Sequence, residues 1–401
     1  MNYLLDPEWA ANVKALHIVK TAVGARWVYH QVRVLCSMGI EVVVALPSDT
    51  DGLAPRYREA NAQVLKADLD PSIREPWRLI ETVRKCRELV ECVRPDVIHV
   101  HHVGPAYVMR LALGKNSPIP RVFQVQGPLH LEHAAFSNLD VRLAGPQDYW
   151  IATCQWTYQK YLQLGVESNR VFLSYMGFDI GAFNGKRTGR LREELGIPAG
   201  APLIGMVAYV YAPKWFLGQK TGIKGHEDFI AALHEVNKVR PDVRAVVIGG
   251  PWGNATSYER RLRARAARSS NGQLRFTGFR SDVSVIYPDV DLAVVPSHSE
   301  NVSSSSVEAF LSGVPVVATN VGGLPDLVQD KKTGWLVPPG KPALLAQAIL
   351  EALADPVEAR RRATAGQKLA RELFEVEKTA REVAVIYRMI VAHDPASRLC
   401  A

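Results

Sequence analysis

The chain has 401 residues, 47% of them hydrophobic and 22% charged, with a formal net charge of +8. Two domains can each bury a core at this length, and the composition excludes a disordered or fibrous chain. Five scattered cysteines without a CxxC pair exclude a disulfide framework or cysteine zinc site; with no apolar run of spanning length and no signal-like N-terminus in "MNYLLDPEWAANVK", a reducing cytoplasm is expected.

In chain order, "ALHIVKT" (15–21) reads as a buried strand, followed by the turn "AVGA" and an amphipathic helix "RWVYHQVRVLCSMG" closed by glycine. "IEVVVALP" is a strand, "WRLIETVRKCRELVECVR" a helix, "PDVIHVHH" a strand ending in histidines, "PAYVMRLALGK" a helix, and "RVFQVQG" and "YWIATC" strands. Continuous apolar strands alternating with helices predict a parallel sheet covered on both faces. The rhythm breaks in the Gly-, Pro- and charge-rich stretch 177–200, which marks a domain boundary. It then restarts with "PLIGMVAYV", "HEDFIAALHEVNKV", "VRAVVIGG", "YERRLRARAARS", "LRFTGF", "DLAVVPS", "SSSVEAFLSG", "VPVVATN" and "GWLVPP", and the last stretch is mostly helical. The excess basic residues fall largely in helical segments and read as solvated, salt-bridged faces. With no nucleic-acid motif and no basic–aromatic interleaving, nucleic acid is not an expected partner.

Parallel sheets of this kind bind ligands beyond the carboxyl ends of their strands. The most informative such loop is "SENVSSSSVEAF", 299–310, where four serines lie between Glu300 and Glu308. A strand ends before it and a helix begins within it, so small residues leave a helix N-terminus open to an anion such as phosphate. The competing reading is local: "SSVE", 305–308, is a capping box in which Ser305 caps the helix and Glu308 reaches back. Two glutamates flanking a phosphate-favouring helix start would suit a ligand with both hydroxyls and phosphates, that is, a nucleotide sugar.

The stretch 291–340 resembles the donor-site signature of the family 4 retaining glycosyltransferases, which have the GT-B fold. The matching residues are Asp291 with Pro296-Ser297, Glu300 and Glu308 in an E-x7-E element, "GVPVVATNVGGLPDLV" and "TGWLVPPG". "PDVIHVHH", "GVESNRVFLSYMGFD", "KGHEDFIAA" and "RFTGFRSDV" resemble further family segments in the expected order. The resemblance implies an α/β GT-B architecture, two facing doubly wound Rossmann-like domains with a cleft between them. The expected domains are 1–180, binding acceptor, and 190–375, binding nucleotide sugar, with 376–401 returning to the first.

Carried over residue by residue, Glu300 would contact the transferred sugar and Glu308 the ribose. The backbone of Asn301, Val302, Ser303, Ser304 and Ser305 would hold sugar hydroxyls and diphosphate. Phe279 and Arg280 occupy the place where the family holds the nucleobase. The family's lysine for the leaving diphosphate matches Lys224, but its arginine is replaced by Tyr209, and Lys214 or Lys220 in the following insert would supply the second cation. Gly24 would mark the glycine loop near donor phosphate and acceptor, and His130 the active-site histidine, with His101 and His102 as rivals. Asn301 and Ser303 stand where the family commonly has glycines, which makes this loop the expected seat of donor-sugar selectivity. Leaving-group stabilisation, rather than a protein nucleophile, would drive the reaction.

The expected activity is transfer of a hexose or N-acetylhexosamine, from a UDP-sugar above other donors, to a small acceptor such as an aminocyclitol. The insert "YAPKWFLGQKTGIKGHE" resembles a subset that includes aminoglycoside-antibiotic enzymes. Assembly of polysaccharide or glycolipid is the alternative, and a non-hydrolysing nucleotide-sugar epimerase a second. No metal and no cofactor beyond the donor co-substrate are expected. "DVD", 289–291, precedes its strand, at the end away from ligands, and reads as structural. The first helix, with Arg26 and Arg33 beside Trp27 and Tyr29, has some membrane-surface character, but its apolar face reads as core.

Overall fold

A computed structural model describes residues 9–10, 12–71, 75–124, 127–183, 185–215, 218–269 and 272–392. The chain forms two compact units, one of Met1–Asp179 with Phe374–Ala401 and one of Ile180–Leu373.

The first unit holds a seven-stranded sheet of β1 (Lys14–Ile18), β2 (Glu41–Leu46), β3 (Gln63–Lys66), β4 (Val97–Val100), β5 (Arg121–Phe123), β6 (Asp148–Ala152) and β7 (Val171–Leu173), in the order β3-β2-β1-β4-β5-β6-β7. Every pairing is parallel. This is the doubly wound order, which reverses direction between β1 and β4 and opens a crevice there at the strand ends. Alternation along β1 sends Ala15 to one apolar cluster and Leu16 and Ile18 to the other, so both faces are covered. The sequence reading passes over β3 and β7 because they are short, and β3 is only half-buried, so neither has a clear apolar run.

The terminal helix Val376–Ala392 belongs to this unit. Val383, Ala384, Ile386, Tyr387 and Ile390 enter the core facing the first helix, Arg26–Ser37. The chain returns beside Phe178, whose amide donates to Phe374 O at 2.6 Å and whose carbonyl accepts from Val376 N at 3.1 Å. Gly177 is required there: a Cβ would lie 2.6 Å from Thr379 Oγ1 and 2.8 Å from Val376 Cα.

The second unit repeats the plan with β8 (Leu203–Val207), β9 (Arg244–Ile248), β10 (Leu274–Gly278), β11 (Leu292–Val295), β12 (Val316–Thr319) and β13 (Trp335–Val337), ordered β10-β9-β8-β11-β12-β13. Its direction reverses between β8 and β11, so the loops after these strands flank the crevice. The two aspartates of "DVD" hold this unit's entry segment. Asp289 is buried and accepts from the amides of Thr188 (2.9 Å), Gly189 (2.6 Å) and Leu191 (2.9 Å). Asp291 accepts from Leu203 N at 2.7 Å and pairs with Arg187 and Arg192. Their lone pairs are taken up by protein donors, which accounts for both residues structurally. Among the described residues, no helix is long and apolar enough to cross a membrane.

Candidate active site

The loop after β11 carries the serine tract. Its helix spans Ser304–Leu311 and is capped by Ser303, which has extended backbone and makes no side-chain cap bond. This corrects the capping-box expectation: Ser305 lies inside the first turn, and Glu308 stands five residues beyond the cap. The serines bond one another instead, with Ser303 Oγ and Ser305 Oγ 2.9 Å apart and Ser306 Oγ donating to Ser303 O at 2.8 Å. The first amides of a helix have no acceptor within it, so this end offers N–H groups and positive potential. Gly313 follows the helix in the left-handed conformation, as its place past the C-terminus requires. Tyr287 Oη donates to Ser305 O at 2.9 Å and braces the first turn from below. Burial, with the charge of Glu308 nearby, pushes the Tyr287 phenol well up and keeps it a donor.

Glu300 is buried and held from two sides. Lys224 Nζ lies 2.5 Å from Glu300 Oε1, and Ser297 Oγ donates to the same oxygen at 2.9 Å. Lys224 reaches it because of Gly225, the left-handed residue preceding the helix His226–Val239. A Cβ at Gly225 would lie 1.9 Å from Pro296 O, so only glycine lets the two loops touch. On the other side, Gly323 N donates to Asn301 O at 2.7 Å, and a Cβ on Gly322 would lie 1.6 Å from Glu300 O. The "VGG" after β12 is therefore the other half of the Glu300 loop. Asn301 and Ser303 keep negative φ angles, so this loop has no need of the glycines expected there. Beside it, His298 Nε2 pairs with Asp228 Oδ2 at 2.8 Å, and this partner raises the imidazole pKa.

Tyr209, in the place expected for an arginine, lies in an aromatic cluster over the ends of β8, β9 and β10. Its ring is stacked against Phe279 with centroids 6.0 Å apart and planes 14° from parallel, and meets Trp252 edge-on at 4.9 Å. Glycines bring these loops together: a Cβ on Gly249 would lie 2.0 Å from Ala208 O. Phe279 and Trp252 remain exposed by 61% and 43%, enough to present aromatic faces to a ligand. Tyr211 joins the same group. Burial, then Tyr209, then the charge of Glu300 push its phenol up to about 12.

Arg280 is tied through Nε and Nη2 to both Asp282 oxygens at 2.8 Å and through Nη1 to Glu194 at 2.5 Å, so its guanidinium is held on carboxylates. Lys214 and Lys220 are exposed on the insert, where Lys214 N donates to Gln219 Oε1 at 2.9 Å. The structure joins Lys224, not these two, to Glu300. Sequence reasoning missed Trp252, although an aromatic two residues after a strand-end "GG" was the available signal.

In the first unit Gly24 and Ala25 both adopt left-handed backbone, with φ of 87° and 47°. His130 is buried, with Nδ1 3.2 Å from Gly127 O and Nε2 3.2 Å from Tyr161 Oη. Both ring nitrogens are thus engaged within the unit. His102 precedes the helix Val103–Leu113 and receives Lys20 N at 3.3 Å. Burial lowers its pKa to about 4, so it is neutral.

His17, His99 and His101 are fully buried, with one possible ligand nitrogen from each lying within 4.8 Å of the others. Among the described residues no carboxylate joins them, and a dication in this buried setting would be uncompensated. Their nitrogens are engaged with one another and with Tyr387: His17 Nδ1 is 2.9 Å from His101 Nε2, and Tyr387 Oη is 3.0 Å from His17 Nε2 and 2.6 Å from His99 Nδ1.

Residues 24–181 match the family described as Glycosyltransferase Family 4, and residues 215–355 the family described as Glycosyl transferases group 1. A D-inositol 3-phosphate glycosyltransferase of Acidothermus cellulolyticus is 28% identical over 345 residues, 79% of this chain and 75% of that protein. The solved structure of Anabaena HepE with UDP and glucose has a TM-score of 0.78 at 23% identity, over 94% of this chain and 99% of its own. Sucrose-phosphate synthase from Thermosynechococcus elongatus has a TM-score of 0.76 at 22% identity, over 95% and 100%. These two likenesses establish the fold, a pair of Rossmann-like domains of the GT-B kind.

Proposed function

We propose that this chain, a glycosyltransferase with a family 4 domain ahead of a group 1 domain, moves a hexose or N-acetylhexosamine from a UDP-linked sugar to a hydroxyl of a small polyol. The acceptor is a cyclitol or aminocyclitol ring or a natural-product core, and the anomeric configuration is retained. The observation that carries this reading is the Lys224–Glu300 pair at the end of β11, beside the open start of the serine helix. An acceptor-rich carboxylate next to a cation and a helix N-terminus suits a molecule with sugar hydroxyls on one side and a diphosphate on the other.

In this reading the ammonium of Lys224 and the amides at 303–305 stabilise the charge that grows on the leaving diphosphate. Glu300, oriented by Ser297, accepts hydrogen bonds from the transferred sugar. Glu308 takes the ribose hydroxyls. The exposed faces of Phe279 and Trp252 receive the nucleobase, with Tyr209 filling the space beneath them instead of carrying charge. The electrostatic work falls to protein groups, so no metal or cofactor is assigned. The choice of a polyol acceptor draws on the insert at 211–227 and on the relative whose name specifies D-inositol 3-phosphate.

The test is a thermal-shift screen of UDP-, GDP- and dTDP-sugars, followed by transfer assays on cyclitols and aminocyclitols with product anomers read by NMR. A donor at 100 times its Kd should stabilise by about 2.7 kcal/mol. UDP-glucose and UDP-N-acetylglucosamine are expected to shift the protein most, and EDTA to leave turnover unchanged. Absence of a shift with every donor would sink the reading, and epimerisation of UDP-N-acetylglucosamine without acceptor would replace it.

A further inference from the structure

We infer that His101, His17, Tyr387, His99 and Gln124 form an uncharged, one-directional hydrogen-bond chain through which the terminal helix positions three strand-end loops of the first unit. The observations begin with topology. His17 lies on β1 and His99 directly opposite it on β4, in register on the same face of the sheet. His101 is the first residue beyond β4, and Gln124 the first beyond β5. Tyr387 comes from the terminal helix, which covers this face. His101 in turn meets Trp27 edge-on at 5.0 Å, three residues after Gly24.

Proton bookkeeping then fixes a direction. All three imidazoles are fully buried, and desolvation makes each neutral, with a single N–H. His99 Nε2 and Gln124 Oε1 are both buried and neither makes a hydrogen bond of standard geometry among the described residues, while the Gln124 side chain acts on His99 as a hydrogen-bonding neighbour. Pairing these two buried orphans satisfies both, and because an amide oxygen can only accept, His99 then carries its proton on Nε2 and leaves Nδ1 bare. Tyr387 O–H therefore donates to His99 Nδ1 across 2.6 Å. The Tyr387 oxygen accepts from His17 Nε2–H across 3.0 Å, and the bare Nδ1 of His17 accepts from His101 Nε2–H across 2.9 Å. Each step forces the next. With His99 Nε2 and Gln124 Oε1 paired, His101 Nδ1 is left without a partner; it is an acceptor, which costs less than a buried orphaned N–H.

The consequence is mechanical. The loops after β1, β4 and β5 are where this unit can meet a ligand, and one chain ties all three to the terminal helix. Loss of Tyr387 Oη would leave a bare acceptor on His99 and an unpaired N–H on His17 at once. These are positioning residues, since all five are buried by at least 99%.

The deciding measurement is 15N NMR of the intact protein labelled at histidine. Three neutral imidazoles protonated at Nε2 are expected at pH 7, and the His17 and His99 signals should move in Tyr387→Phe. An Nδ1–H tautomer or an imidazolium at any of the three would overturn the chain. Tyr387→Phe and Gln124→Met should each lower Tm by about 4–8 °C, and the double variant by less than the sum. Additive losses would overturn the coupling. The kinetic arm rests on the transferase reading: Tyr387→Phe is expected to lower kcat about fivefold with donor KM unchanged, well below the melting range. An unchanged kcat would reject positioning in favour of plain stability. If wild-type protein transfers no sugar, the transferase reading fails, while the tautomers still decide the chain.

Discussion

The two units share a strand order and differ in what stands at the point where that order reverses. In the first unit the crevice ends of β1 and β4 carry a sealed, uncharged row of histidines. In the second, an exposed aromatic cluster lies over the ends of β8, β9 and β10, and the loops after β8 and β11 bring together a charged pair, Lys224–Glu300. A doubly wound sheet supplies a crevice but no chemistry, and the difference lies wholly in the loop residues. Close glycine contacts occur in both units: Gly225, Gly249 and Gly322 of the second each face a backbone oxygen at 2.0 Å or less from a notional Cβ, and Gly52 of the first faces Ala22 O in the loop after β1 at 2.2 Å. Ala25 of the first unit takes a left-handed conformation in the loop after β1.

If catalysis is concentrated in the second unit, Lys224→Ala should have the largest effect of any single change. It removes charge from the leaving group and leaves Glu300 buried without its partner. A fall in kcat on the order of 10²–10³-fold is expected from the loss of one transition-state donor, whereas His130→Ala should cost far less. Steady-state kinetics on both variants would reverse the assignment of roles if His130→Ala proved the more damaging. Gly322→Ala comes next. A methyl 1.6 Å from Glu300 O must displace backbone, and φ of 51° adds strain, for a loss of about 3 kcal/mol by overpacking and left-handed strain together. Gly253→Ala in the same unit has open space at φ 58° and should cost only the strain, about 1 kcal/mol. Denaturant titrations giving equal losses would show that the loops do not interlock.

Much of this arrangement is legible in the amino-acid sequence. Continuous apolar strands fixed the parallel sheets, because such runs fit only a sheet buried on both faces. Glu300 and Lys224 were legible from their spacing within motifs. What could not be read was which polar group meets which. The serine tract offered a capping box and an open helix start, and only the helix boundary at Ser303 decides against the box. His130 looked available from its loop, yet its two nitrogens are bound by residues 3 and 31 positions away. The match of Tyr387 to His17 spans 370 positions and leaves no local pattern. Gly225 and Gly322 are ordinary glycines in sequence, and only the approach of a second loop reveals their purpose.

Acid should loosen both units, the first more than the second. Burial lowers the pKa of His17 to about 3 and pushes His99 and His101 well below their usual range. The unfolded chain then binds protons that the folded unit refuses. Stability is complete above the unfolded pKa and is lost as pH falls from about 6.5 toward 3, by about 2 kcal/mol for His17 alone at pH 5. In the second unit burial also lowers the pKa of His226 to about 3, an acid loss of the same sign, while His298 has the reverse sign. Its pKa is raised by Asp228, so its contribution is present below about 6.5 and is lost as pH rises through its folded value. That contribution is small because the pair is partly exposed and screened. Calorimetric scans should therefore show acid loosening of both units, larger in the first with its three sealed histidines than in the second with His226, and an acid-insensitive first unit would mean that its histidines are not sealed.

The smallest expected effect tests whether the first unit's loop is strained. Ala25 sits at φ 47°, ψ 37° before the helix Arg26–Ser37, where an L-residue pays about 1–2 kcal/mol. Ala25→Gly would relieve that strain. Two terms oppose it: glycine's larger entropy loss on folding, about 0.5–1 kcal/mol, and the contact of a half-buried methyl with the core, a fraction of the ~0.8 kcal/mol of a buried methylene. The balance favours glycine by only about 0.5 kcal/mol, a rise in Tm of about 1–2 °C. A fall of several degrees would mean that the methyl packs as core and that the loop after β1 is held as firmly by its side chains as the loops of the second unit are by their glycines.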